Sequence, residues 1–95
     1  MQNDFFEWDD EKADANYRKH GISFDEACTV LFDNWAIVEE DKREDYGEQR
    51  FVSVGMSKQN RILQVVWTQR KTKIRLISAF KSDKKQRKSY EKQRY

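Results

Sequence analysis

The spacing of apolar residues changes once along this 95-residue chain, and the change restricts what the chain can fold into. Up to Asn34 the apolar side chains recur at helical spacing, whereas from Trp35 onward they alternate with a period of two. The first pattern is typical of helices that bury one face, and the second of half-buried strands. We therefore predict helices in the first third of the chain and a sheet after them.

Capping signals set the limits of two predicted helices. Asp9 is placed to cap the first, and Gly21 supplies its stop because glycine readily adopts the left-handed conformation needed there. Ser23 and Glu26 have the spacing of a capping box, so a second helix is expected to follow at once and to end at Asp33-Asn34. The buried stripe of this second helix is expected to hold Phe24, Ala27, Cys28 and Leu31.

Short apolar runs separated by turn residues predict the strands. Three of them, Phe51–Gly55, Ile62–Thr68 and Lys73–Ala79, are joined by short turns and are expected to form an antiparallel meander. A short edge strand is predicted at Phe5–Trp8 and a further strand at Trp35–Glu39. The tail, residues 81–95, is rich in helix formers but has a thin apolar face, mainly Tyr90.

Size and composition favour one soluble domain over residues 1–95. The chain has 13 aromatic residues (6 Phe, 4 Tyr and 3 Trp), which supply core area despite an apolar fraction of only 37%. Cys28 is the single cysteine, so no intramolecular disulfide forms, and without a Cys/His cluster no zinc site is expected. No stretch approaches the roughly 20 apolar residues of a membrane span. We predict a cytoplasmic protein without a metal or a cofactor.

Charge is divided unequally between the two parts of the chain. Residues 1–48 hold 5 Lys and Arg against 15 Asp and Glu, whereas residues 49–95 hold 14 against 2. The net charge of +2 conceals this division. A strongly basic second half predicts an anionic partner, with nucleic acid the first candidate.

Residues 6–27, FEWDDEKADANYRKHGISFDEA, resemble the opening of the BrnT toxin family. The family pattern is F-x-W-D, a Lys, an Asn and K-H-G, followed by S-F-x-E-A. Four later segments resemble the family's E-x-R-F, I-G-x-S, G-R and I-R-x-I-S-A motifs in the same order: Glu48–Phe51, Val54–Ser57, Asn60-Arg61 and Ile74–Ala79. The resemblance thus spans nearly the whole chain.

This resemblance implies a fold and a function. The fold is α+β and RelE-like, with two N-terminal helices, an antiparallel sheet and a C-terminal helix. The family implies an endoribonuclease toxin of a type II toxin–antitoxin system, bound by a BrnA-like antitoxin as a heterotetramer and reaching operator DNA only through it. The chain departs from the pattern at Phe80, where many members have Arg, and at Gln86-Arg87, where many have Glu-Arg.

Metal-independent RNA cleavage needs a base for the 2′-hydroxyl, a cation for the phosphorane charge and an acid for the leaving oxygen. Arginine suits the second role because its planar fork binds phosphate in two places. Alternation in the last strand predicts Ile74, Leu76 and Ser78 on one face, with Arg75 and Ile77 on the other, where RNA could lie. Four arginines are candidates: Arg50, Arg61, Arg70 and Arg75.

Two residues compete for the role of acid or base. His20 has the neutral-range side chain, but as the last residue before Gly21 it is at least as well explained by its favourable charge at a helix C-terminus. Glu48, just before Arg50, is the other candidate, with a surface ion pair as its structural explanation. Trp8 and Trp35 could stack on bases, but buried core positions are favoured for both.

Basic residues outside the catalytic set are candidates for RNA contact, although a basic helix face is more often only solvated. Two other functions stay open. The chain could be a degenerate module that binds its antitoxin without cutting RNA, a hypothesis that Phe80 favours. It could also be a plain RNA-binding protein. The RNA-binding candidates are Arg70, Lys73, Lys81, Lys84 and Lys85.

Overall fold

The structure is a computed structural model that describes residues 3–95, and in that range it contains three helices and a five-stranded sheet. The strands lie in the order β1-β5-β4-β3-β2. The fold is therefore α+β, as predicted. In chain order the elements are β1 (Phe6–Glu7), α1 (Asp10–His20), α2 (Phe24–Val30), β2 (Ile37–Asp41), β3 (Arg50–Met56), β4 (Ile62–Arg70), β5 (Lys73–Lys81) and α3 (Lys84–Arg94).

The two predicted helices are present, and the caps explain their limits. Asp9 accepts hydrogen bonds from two backbone amides of the first turn of α1, and Gly21 ends the helix with φ 71°. Ser23 caps α2 by accepting from the Glu26 amide at 3.0 Å. The predicted capping box is wrong, because the Glu26 side chain binds Ser57 and Arg61 instead of returning to Ser23. Helix α2 also ends at Val30, before the predicted stop.

The predicted meander is confirmed, since β3, β4 and β5 pair in antiparallel order and β2 adds to the edge of β3. The expectation of a purely antiparallel sheet is wrong at the other edge. Strand β1 runs parallel to β5, with Phe6 opposite Ile74. The helix α1 that follows β1 packs on β5 through Asn16, whose amide bonds the backbone of Ala79 in both directions. Both β1 and α1 are therefore attached to β5.

A bulge in β5 changes which of its residues share a face. Trp67 pairs with Leu76 and Val66 pairs with Ser78, so Ile77 is an extra residue in the ladder. Ser78 therefore lies on the opposite face from Leu76. The prediction that Ile74, Leu76 and Ser78 share one face is wrong at Ser78.

The main core lies between α1, α2 and one face of the sheet. Trp8 is buried in this core, as predicted, and the partly buried Trp67 packs against the core. Trp35 is 46% exposed, so its predicted burial is wrong. Burial raises the pKa of the Cys28 thiol to about 12, consistent with a cysteine that packs as an apolar side chain. The fully buried members of this core are Ile22, Ala27, Val30, Leu63, Val65 and Ala79.

Helix α3 covers part of the other sheet face and is fastened there by Tyr90. The Tyr90 side chain is fully buried, and its hydroxyl donates a hydrogen bond to Asp33 Oδ2. The same oxygen accepts from the Met56 amide at 2.8 Å, and Arg94 donates to the tyrosine oxygen at 2.9 Å. A single aromatic anchor thus compensates for the thin apolar face of this basic helix.

We expect Tyr90→Phe to lower the free energy of unfolding by about 1 kcal/mol, because Asp33 and Arg94 both lose a hydrogen-bond partner while the ring stays packed. Tyr95→Phe is the matched control. Tyr95 is 77% exposed, so loss of its hydroxyl should not change the free energy of unfolding measurably. Urea unfolding of the two variants checks this. Equal stabilities would show that the ring alone holds α3 in place.

Candidate functional site

The strand register defines rows of side chains on the face that carries α3, because residues paired across strands point to the same side. Hydrogen bonds from α3 go to Gln64, Asp33, Trp35 and Met56, all at or beyond the third of these rows. We call the first two rows the open face because these hydrogen bonds do not reach them, although Asp41, Val66 and Thr68 within them are buried. The first row, at the end of the sheet far from α3, is Asp41, Arg50, Thr68 and Arg75. The second row is Glu39, Val52, Val66 and Ser78. The third row, nearest α3, is Ile37, Val54, Gln64 and Phe80.

Four cations stand at the far end of the open face, and we call Arg50, Arg70, Lys73 and Arg75 the basic cluster. Arg70 and Lys73 are register partners at the turn between β4 and β5. Glu48 joins two of the arginines: its Oε2 accepts from Arg50 Nε at 3.2 Å and its Oε1 from Arg70 Nη2 at 3.3 Å. Five residues predicted from the sequence therefore lie at the same end of the sheet, and three of them, Glu48, Arg50 and Arg70, are in contact.

Arg75 is held in the cluster by the short strand β1. Its Nη1 donates to Glu7 Oε2 at 2.8 Å, and the parallel pairing of β1 with β5 sets the two residues side by side. Both side chains stay partly exposed. Arg75 thus occupies the open face, as the alternation predicted, although its ion pair with Glu7 offsets its positive charge.

The loop 42–49 supports the cluster through residues that the sequence did not single out. The Tyr46 ring lies 4.2 Å from the Arg50 guanidinium carbon, a cation–π contact. The Tyr46 hydroxyl donates to Asp41 at 3.0 Å, and Arg43 binds the same carboxylate through Nε and Nη2 at 2.9 and 2.8 Å. The only signal in the sequence was a polar loop after a strand, which does not reveal such a network.

The carboxylates of the site are held in the ionised form. Burial raises the pKa of Glu48, but hydrogen bonds from Arg50 and Arg70 outweigh that effect and leave it below its ordinary value. Hydrogen bonds from Arg43 lower the pKa of Asp41 against the opposing effect of burial. Glu48 is therefore ionised at neutral pH, and the two arginines bonded to it are aligned to bind another anion, such as a phosphate.

Two predicted catalytic residues lie away from the basic cluster. His20 ends α1 and contacts Phe80, with ring centroids 5.3 Å apart, and Phe80 lies five residues from Arg75, about 16 Å along β5. Arg61 is nine residues from Arg70, about 30 Å along β4. The structure does not bring either residue to Glu48.

Arg61 has a clear structural partner instead. Its Nε donates to Glu26 Oε2 at 3.0 Å, its Nη2 binds the other carboxylate oxygen, and Ser57 also donates to Glu26. The Glu26 side chain is only 2% exposed. Burial raises the pKa of Glu26, but the bonds from Arg61 and Ser57 keep it below its ordinary value. Arg61 therefore neutralises a buried charge.

The lysines predicted to bind RNA are spread over different surfaces. Lys73 belongs to the basic cluster, whereas Lys81 pairs with Leu63 and so lies on the opposite sheet face at the other end of β5. Lys84 and Lys85 are exposed in the first turn of α3. Lys85 borders a hollow along α3 that is lined also by Ile37, Val54 and Ser89.

Among residues 3–95, no group of three or more His, Cys, Asp or Glu side chains is arranged to hold a metal ion. None of the helices in this described part of the chain is long and apolar enough to cross a membrane.

Four carboxyl groups make stability depend on pH. The pKa values of Glu26, Asp33, Asp41 and Glu48 lie below the ordinary values of 4.5 and 3.8. A lowered folded-state pKa gives stability that is fully present above the ordinary value and is lost as pH falls through the folded-state pKa. We expect the free energy of unfolding to be constant from pH 7 to about 5 and to fall steadily below about pH 4.5.

Urea unfolding between pH 7 and pH 2.5 measures this dependence. Asp41→Asn should make the fall with pH smaller, because the variant lacks one of the four groups. Glu44→Gln, in the exposed part of the same loop, should leave the pH dependence as in the wild type. Identical pH dependence in all three proteins would contradict the assignment of Asp41.

Comparisons with known proteins agree with the fold. A search of curated protein sequences gives no match. The crystal structure of the Brucella abortus ribonuclease toxin BrnT, at 1.1 Å resolution, has the same fold: the TM-score is 0.65 at 21% identity, over 84% of this chain and 99% of that one. The family model described as the ribonuclease toxin BrnT of type II toxin–antitoxin systems matches residues 8–86. The chain therefore belongs to the BrnT family of ribonuclease toxins.

Proposed function

We propose that this protein is an endoribonuclease that cuts RNA at the basic cluster without a metal ion, and so stops translation and growth. The observation that supports this most is the meeting of Glu48 with Arg50 and Arg70 on the open face, with Arg75 in the same row as Arg50. We propose further that residues 1–95 form one RelE-like domain, of which residues 1 and 2 lie outside the described range, and that it acts in the cytoplasm.

The proposed reaction is an attack of the 2′-oxygen on the neighbouring phosphorus. Glu48 accepts the proton of the 2′-hydroxyl, while Arg50 and Arg75 bind the phosphate oxygens as negative charge develops on them. The bond from phosphorus to the 5′-oxygen breaks, which leaves a 2′,3′-cyclic phosphate and a 5′-hydroxyl. Tyr46 is the proposed proton donor to the leaving oxygen because its ring lies against Arg50 and its hydroxyl carries a proton, which it would have to donate to the leaving oxygen in place of Asp41.

Substrate binding would itself activate the base. In the free protein, Glu48 is a weak base because Arg50 and Arg70 lower its pKa. When those guanidinium groups turn to a phosphate, the carboxylate loses the hydrogen bonds that favour its ionised form, and its affinity for a proton rises. The ion pairs thus keep the arginines in place until RNA arrives.

An antitoxin is the expected protein partner, because the family belongs to type II toxin–antitoxin systems. We propose that it is BrnA-like, that it forms a heterotetramer with this protein, and that operator DNA is reached only through it. The acidic first part of the chain and the basic second part offer it side chains of both charges.

A second candidate is a degenerate toxin that binds its antitoxin without cutting RNA. Phe80 favours it, because a neutral ring stands where the family pattern has Arg. Gln86 adds to this, since its side chain is engaged in the cap of α3 and in the bond to Gln64.

Induced expression without a partner separates the two candidates. The proposed enzyme should stop incorporation of labelled amino acids and shorten cellular RNA within minutes of induction, and Arg50→Ala should abolish both effects at equal protein level. Continued translation with intact RNA, from wild-type protein that is soluble and folded, would favour the degenerate module.

A further inference from the structure

We propose that the groove between β2 and α3 binds the base of the nucleotide whose phosphate lies at the basic cluster, and that Glu39 selects guanine there. The groove has a volume of about 460 Å³, within the range of small-molecule sites. Its lining includes Val52, Phe80, Gln64 and the carboxylate of Glu39. This inference rests on the proposed ribonuclease function and names the base that the enzyme would prefer.

The position of the groove suits a base attached to a phosphate at Arg50. Val52 follows Arg50 by two residues on the same face of β3, a separation of about 6.8 Å, and its row is the one between the cluster and α3. Protein sites that read single-stranded RNA bind bases that have left the stack, with an aromatic ring against the base and polar groups at its edge. The groove offers both kinds of contact.

Charge favours a base, and not a second phosphate, as the occupant. Four carboxylates line the groove against two cations, Lys42 and Arg43, and Arg43 is already bonded to Asp41. Glu39 is exposed, its register partner Val52 places it on the open face, and Asp83 lines the groove from the α3 side. Carboxylates repel phosphate but accept hydrogen bonds from N–H groups. Guanine presents two adjacent donors, N1–H and the 2-amino group, to the two oxygens of one carboxylate, whereas uracil presents one.

Phe80 supplies the aromatic side of the groove, and His20 supports it. Phe80 shares its row with Gln64, and the His20 ring packs against it at a centroid distance of 5.3 Å and an interplanar angle of 37°. Gln86 donates to the Gln64 oxygen, so the Gln64 amino group is not used in that bond and can serve the guanine O6.

Binding of mononucleotides tests the inference without any need for cleavage. The protein is titrated by calorimetry with guanosine 3′-monophosphate and with uridine 3′-monophosphate. We expect the guanine nucleotide to bind about tenfold more tightly, the discrimination typical of a two-bond contact to a base. Glu39→Gln should remove most of this preference. Glu11→Gln, which deletes an equal exposed charge on α1, should keep it.

Equal affinity for the two nucleotides, no saturable binding of either, or a preference that survives Glu39→Gln would overturn the inference. The two proposals can fail separately. Selective binding of the guanine nucleotide by a protein that leaves RNA intact would refute the ribonuclease and keep the groove. RNA cleavage without selective nucleotide binding would support the ribonuclease and refute the guanine site in the groove.

Discussion

Replacement of Arg50 by alanine is expected to slow RNA cleavage about 100-fold while the protein stays folded. Arg50 is one of the two arginines bonded to Glu48 and stands in the same row as Arg75, so its guanidinium is placed to bind the phosphate oxygens in the transition state. Removing one fixed donor from such a site typically costs a factor of 10² to 10³ in rate. Initial rates on an end-labelled RNA measure the effect.

Arg18→Ala is the matched control, because Arg18 is an exposed arginine on α1, on the other side of the sheet. Its removal changes the net charge by the same amount as Arg50→Ala and should alter the rate of RNA cleavage less than threefold at moderate salt. Arg50→Ala and Arg18→Ala should have similar unfolding curves. A rate within threefold of the wild type in Arg50→Ala would remove the basic cluster from the mechanism.

Replacement of Arg61 by alanine is expected to act on stability, with a loss of about 3 kcal/mol in the free energy of unfolding. The reason is the Glu26 carboxylate, which is almost fully buried and would keep only Ser57 as a side-chain donor. Removing one partner of a buried ion pair leaves a charge without compensation. Urea unfolding near neutral pH measures this loss.

The double variant Glu26→Gln with Arg61→Ala distinguishes this cause from simple loss of packing. Without the buried charge, the double variant should be more stable than Arg61→Ala alone. Arg87→Ala, an exposed arginine on α3, should change the free energy of unfolding by less than about 0.5 kcal/mol. If the double variant is less stable than Arg61→Ala, the ion pair does not explain the role of Arg61.

Local signals predicted much of the fold. The Asp9 cap, the Gly21 stop and the Ser23 cap each depend on neighbours within four residues, so one sequence is enough to find them. Two features depended on distant contacts and were missed. The parallel pairing of β1 joins residues 68 apart, and the bulge at Ile77 appears only when β5 is aligned with β4.

The site was predictable where it is built by short connections. Glu48 and Arg50 are two residues apart, and the turn between β4 and β5 pairs Arg70 with Lys73, so their proximity follows from the meander. Arg61 could not be placed in the same way. Its partner Glu26 is 35 residues earlier, and nothing in the sequence separates a structural arginine from one that binds phosphate.

Cleavage of RNA in EDTA is the most direct test of the central claim, that the open face is a metal-independent ribonuclease site. The purified, partner-free protein is incubated with an end-labelled RNA in excess EDTA, and the new ends are mapped. We predict fragments that end in a 2′,3′-cyclic phosphate or a 3′-phosphate, and their loss in Arg50→Ala. Intact RNA after incubation with folded protein, or cleavage only when Mg²⁺ is restored, would contradict the account.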